Sequence, residues 1–386
     1  LERIDVAFAA SSGLAMFDVV RAADFGARHL LLALEGGEPI RICRALAFEA
    51  SGRAAIDATG RDSIEGLVRT AESLATRSND PHAIALARLA AGLVRVFSGE
   101  WRAAQATLDA AEQIIRERCR GVHWELANAV AWSMNALILC GELKEAAERV
   151  PEQLHEAQER GDRFALMHMI YPAAITAIVA DDPDTADRIA REFPKAGGEF
   201  TDRFTGGHWG SLISRVSANR YRGRGRLAFE EMEVEFARIK AAHFLRVHMM
   251  RVCTTFERGL CALAAAEDGG DKDYLWRLAD GCARALLVDR PDYAAPMGHH
   301  VLGCLAAQRG QPERALEHLD LAISGLSRVD MGYLAGCAKA RRGALTGGEA
   351  GRELLEASRK LLVAQGIVSV ERCLDMSAPG FRGTAR

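Results

Sequence analysis

The chain has 386 residues, 49 % of them apolar and 26 % charged, with 49 Lys and Arg against 52 Asp and Glu. This is globular composition with enough apolar surface for a sizeable core, and the net charge of −3 excludes a protein that works mainly by gripping polyanions. No stretch of about 18 uninterrupted apolar residues occurs, which argues against a membrane-spanning helix.

In chain order, the apolar periodicity predicts helix pairs at 15–35 with 38–50, 81–98 with 100–118, and 123–140 with 142–160. The pairs continue at 162–180 with 182–193, 206–222 with 224–240, 243–266 with 271–286, 291–309 with 311–326, and 329–345 with 350–366. One further helix is expected over 63–77, after the polar insertion SGRAAIDATGRDS at 51–63. A second insertion lies near 266–273. Asp-Pro and Gln-Pro steps at 80–81, 182–183 and 311–312 mark helix starts, because proline fits the first turn and aspartate caps it. Pro151 is expected to kink or break its helix. Alternating β-branched runs are missing, so strands are not expected.

A template recurs through these pairs. Gly99 is followed by Ala104, Leu108 and Ala111. Gly141 with Ala146, Asp181 with Ala186, Gly223 with Ala228, and Gly310 with Ala315 repeat the first step. The last copy also keeps Leu319 and Ala322 at the same offsets. The spacings are 42, 40, 42 and 87, so one degenerate copy is expected near 266–280. A period of this size fits two helices and two turns. The glycine ends the first helix, the alanine admits a close partner, and the leucine fills the groove. No single hairpin can bury its apolar face alone, so the hairpins must stack. The expected fold is all-α: one α-solenoid domain over 1–386, of about eight helix pairs.

The nine cysteines are odd in number and form no CxxC pair, which argues against a disulfide framework or structural zinc. They read as small buried hydrophobes in a reducing cytoplasm. The chain opens on Leu1 with no charged, apolar leader and reads as part of a longer protein.

The template resembles the tetratricopeptide (TPR) class of helical hairpins, in the longer-repeat variety found in bacterial STAND-type signalling ATPases. AADFGARHLLLALEGGEPIRICRALAFEA at 22–50, RERCRGVHWELANA at 116–129 and APGF at 378–381 are similar to the C-terminal helical region of large bacterial proteins. Those proteins carry an N-terminal serine/threonine kinase, then a STAND-type ATPase, then this region. The resemblance implies a right-handed superhelix acting as a sensor or partner-binding arm, with the catalytic parts upstream of Leu1. RYRGRGR at 220–226 departs from the milder turn usual there.

No GxxxxGK[ST] or HRD motif, GxSxG elbow or HExxH occurs, so no catalytic, cofactor or metal residue is assigned. GGEP at 36–39 and GGEAG at 347–351 follow no strand and read as hairpin turns. His299 and His300 are adjacent and so point about 100° apart on a helix.

Two candidate sites remain. Asn128, Trp132 and Asn135 form one stripe of a first helix. His168 with Tyr171, His208 with Trp209 and Arg215, and His248 with Arg251 follow on successive repeats. Together they are read as a groove for a protein partner, a peptide or a small effector. Arg220, Arg222, Arg224 and Arg226, around Tyr221, are read as an anion contact. The partners expected are a protein or peptide, the protein's own upstream kinase and ATPase domains, or a metabolite or sugar. A self-assembly scaffold is the further alternative; no nucleic acid or membrane is expected.

Overall fold

The computed structural model describes residues 1–15, 17–57, 59–196 and 204–381. Among these residues are twenty α-helices, one 3-10 turn and no strand. The helices form successive hairpins: α1 (Glu2–Leu14) with α2 (Val19–Gly36), α3 (Pro39–Ile56) with α4 (Arg61–Ser78), and α5 (Pro81–Ser98) with α6 (Trp101–Arg118). Then come α7 (His123–Cys140) with α8 (Leu143–Glu159), and α9 (Arg163–His168) and α10 (Ile170–Val179) with α11 (Pro183–Ala196). After these, α12 (Gly206–Tyr221) packs with α13 (Gly225–Ala241), and α14 (His248–Glu267) with α15 (Lys272–Leu287). The last pairs are α16 (Ala294–Gln308) with α17 (Pro312–Arg328) and α18 (Gly332–Thr346) with α19 (Gly348–Ala364), before α20 (Val370–Ser377). The chain is an all-α solenoid.

The repeated template works as a capped joint. Gly99, Gly141, Gly223 and Gly310 all have positive φ, and the next residue's N–H reaches back five positions, as from Glu100 to the Arg95 carbonyl. Asp181 takes the same left-handed conformation with φ 61°. Its carboxylate accepts from Tyr221 Oη and Arg372 at 2.6 Å each, so the aspartate links three repeats where a glycine would only turn. The degenerate copy is the α14–α15 joint, with Gly269 at φ 81°. One added residue, Asp271, caps α15 there by accepting from the Tyr274 N–H. Leu275, Ala279 and Cys282 are buried on the inner face of α15.

Where the template keeps leucine, the facing helix supplies a hole. A Cβ on Gly92 would lie 2.6 Å from the Leu108 side chain, and one on Gly303 would lie 2.9 Å from Leu319. Ala104, Leu108 and Ala111 are fully buried.

Four features differ from the periodicity. The first hairpin is α1 with α2, so α3 pairs with α4 and not with 15–35; α1 is rich in small residues and its pattern is faint. The 51–63 insertion merely lengthens α3 to Ile56 and turns before Arg61. Pro151 sits inside an unbroken α8, because it is exposed and the carbonyl it strands can face solvent. Pro172 is buried, and the helix breaks at Met169, separating α9 from α10.

The decisive tertiary feature is a return of the chain upon itself. His248 Nε2 bonds the Ala54 carbonyl at 2.7 Å across 194 residues. Trp101 packs at a tilt against Tyr293, ring centroids 5.2 Å apart, Gly141 abuts the Tyr333 backbone, and Arg372 pairs with Asp181 across 191 residues. One superhelical turn therefore takes about 190 residues, or roughly four and a half repeats, and the second turn packs directly on the first.

The segment from α20 to Phe381 plugs this coil. Arg220 Nε, His300 Nε2 and Arg341 Nε bond the consecutive carbonyls of Met376, Ser377 and Ala378 at 3.0, 2.8 and 3.0 Å. These are the carbonyls that the end of α20 leaves without helical partners. Arg341 also lies over the Phe381 ring.

Burial pushes the pKa of His29 and His300, both fully buried, down to about 4. Both stay neutral in the fold but take up protons when unfolded below about pH 6.5. Stability should therefore fall as pH drops from about 6.5 to about 4, by on the order of 3 kcal/mol for each group. Urea midpoints measured at pH 7, 5.5 and 4.5, with His300→Gln as comparison, check this; an unchanged pH profile in the variant would refute the role of His300.

Candidate functional site

The central strip does not lie open. Asn135, Tyr171 and Trp209 surround a narrow space of about 100 Å³ that they share with Tyr333 and Met376 of the second turn. Asn135 Nδ2 donates to the Ala131 carbonyl, and Trp209 Nε1 donates to Thr254 Oγ1 at 2.9 Å. His208 caps α12 together with Thr205, and burial lowers its pKa. Arg215 pairs with Glu231, and Arg251 with Asp289. His168 packs at a tilt against Phe164, ring centroids 4.4 Å apart, and burial drops its pKa to about 4. His248 is buried between Tyr293 and Ala54.

The four arginines do not share a face. Arg220 is buried and donates to Glu257, Cys261 and the Met376 carbonyl, so it cannot meet an external anion. Arg222 holds Asp184 and the Pro183 carbonyl. Arg224 and Arg226 are exposed, and the Arg226 backbone N–H donates to Asp268. The reason is topological: α12 faces the returning α20 segment, so the RYRGRGR turn is split between core and surface.

Asn128 and Trp132 stand apart from the rest of the strip. With Trp124, one helical turn earlier, they line a cavity of about 460 Å³ near the N-terminal end of the coil. The inner faces of α3 and α5 supply Phe48, Leu89, Leu93 and Phe97, and α2 closes one side with Ala22, Ala23 and Gly26. Phe244, Val247 and Met250 form a floor from the start of the second superhelical turn. Trp132 meets Phe97 edge-on at 5.5 Å, and Trp124 lies 6.2 Å from Phe48. Extending the Asn128 stripe back one turn would have reached Trp124. The floor had no sequence signal, because it comes from over a hundred residues later.

All nine cysteines are free thiols, and burial pushes Cys43, Cys261 and Cys282 up to about 11 and Cys337 and Cys373 up to about 12. They are therefore protonated at neutral pH and poor nucleophiles. Among the described residues, no group of three or more His, Cys, Asp or Glu is placed to hold a metal ion, and no helix is long and apolar enough to cross a membrane.

The site thus belongs to a helical-repeat scaffold with a cavity at one end. No family model matches the chain, and no curated protein matches it. Among solved structures, the crystal structure of the P58(IPK) TPR domain is similar at 12 % identity, covering 95 % of this chain and 99 % of that one, with a TM-score of 0.21. That similarity is too low to bear on function.

Proposed function

We propose that this chain is a non-catalytic sensor module whose effector is a small molecule held in the cavity walled by Phe48, Phe97, Trp124 and Trp132. The single observation behind this reading is the contrast between that cavity and the filled central strip. At about 460 Å³ the cavity lies within the usual range for small-molecule sites. A peptide lying along the strip is not favoured, since α18 and α20 occupy it. Following the family resemblance, the output is regulation of a STAND-type ATPase and serine/threonine kinase on the same polypeptide, in the cytoplasm of a bacterium.

The uncharged fluorophore N-phenyl-1-naphthylamine tests the site. Its emission should rise on binding the wild-type chain. Gly52 lines the cavity, and a Cβ there would meet nothing within 4 Å, so Gly52→Phe should fill the space and lower the affinity about tenfold or more. Removing a helical glycine favours the helix, so circular dichroism and thermal stability should hold. Binding unchanged by Gly52→Phe would remove the site from consideration.

A further inference from the structure

We infer that the cavity takes an uncharged, apolar molecule, and that this molecule clamps the two superhelical turns together. The inference rests on the reading of the cavity as the effector site.

The class follows from the polar groups in the wall, which are engaged apart from two buried donors, the Trp124 indole N–H and Arg44 Nε. Arg44 donates to Asp5 at 2.5 Å, and Glu49 pairs with Arg53 at 2.6 Å. Asp57 accepts from the Thr59 N–H and hydroxyl, and Ser51 donates to the Ala47 carbonyl. Asn128 Nδ2 donates to the Trp124 carbonyl at 2.8 Å. The remaining lining is aliphatic and aromatic. A charged ligand would lose its hydration and find no free counter-ion there, and a sugar would leave most hydroxyls unpaired. An apolar body gains from every wall.

The clamp follows from where the walls originate. α2, α3, α5 and α7 belong to the start of the coil, whereas Val247 and Met250 sit at the entry to α14, where the second turn begins. Between them His248 bonds the Ala54 carbonyl of α3, and its ring meets Phe97, itself a wall residue. An occupant touching both sets of walls adds contacts that exist only when the turns are closed. Binding and closure are then linked, and the linkage is reciprocal.

Two measurements on the full chain test this. In the first, 2-naphthol, 2-naphthoate and 2-naphthylmethylammonium compete with N-phenyl-1-naphthylamine. Naphthol should displace it, with the two ions roughly tenfold weaker or more; an anion or cation binding as well as naphthol would overturn the class. In the second, hydrogen exchange is followed with and without saturating N-phenyl-1-naphthylamine. Exchange should slow in α18 and α20, which do not touch the cavity, and Arg372→Gln or Gly141→Ala at the seam between turns should weaken probe binding several-fold. Protection confined to the cavity walls, with unchanged affinity in both variants, would overturn the clamp and leave the sensor reading standing. Failure of every apolar probe to bind would sink both.

Discussion

Replacing Arg220 by methionine is expected to cost about 3–5 kcal/mol of stability. The guanidinium is buried, donates to Glu257 at 2.5 Å, and holds the Met376 carbonyl at 3.0 Å. Removing it strands a mostly buried carboxylate and frees the plug formed from α20 to Phe381, both of which were satisfied by one side chain. Replacing both partners, as in Arg220→Met with Glu257→Leu, should recover a good part of the loss, because the unpaired charge disappears with its partner. Arg222→Ala offers the contrast: its partner Asp184 is 92 % exposed, and such pairs contribute about 0–1 kcal/mol. Urea unfolding followed by circular dichroism separates these cases, and limited proteolysis should release the segment after α19 first. An Arg220→Met variant as stable as wild type would show that the plug does not hold the coil.

The second large effect is expected at Gly141. Its φ is +87°, where a β-carbon costs about 1–2 kcal/mol. A Cβ there would also lie 2.4 Å from the Tyr333 backbone nitrogen, in the seam between the two superhelical turns. Gly141→Ala should therefore lose about 3 kcal/mol or more. Gly310 occupies the equivalent joint with φ +68° and nothing within 4 Å, so Gly310→Ala should lose only the backbone part. The difference between the two unfolding midpoints measures the seam alone. Equal losses would mean that the turns are free to part at no cost.

These predictions divide along the line between local and distant information. The capped joints were legible, because a left-handed residue and a buried alanine at a fixed offset are local requirements of every hairpin. Two of the residues lining the cavity were legible too: Asn128 and Trp132 lie on one face of one helix. Their placement on a cavity, and the sealing of Tyr171 and Trp209 beneath α18 and α20, were not. Arg220 shows the limit most clearly. In sequence it is one arginine of four in a turn, and its burial depends on Met376, 156 residues away.

By itself, then, the sequence determined the helices, their joints and the stacking of one hairpin on the next, since each rests on contacts within about 42 residues. Only the tertiary structure decided that the coil closes after about 190 residues, as the His248 and Arg372 bonds record. A small rotation at each joint sums over four or five repeats. No single repeat carries that sum, so no motif announces which residues the second turn covers and which it leaves facing a cavity.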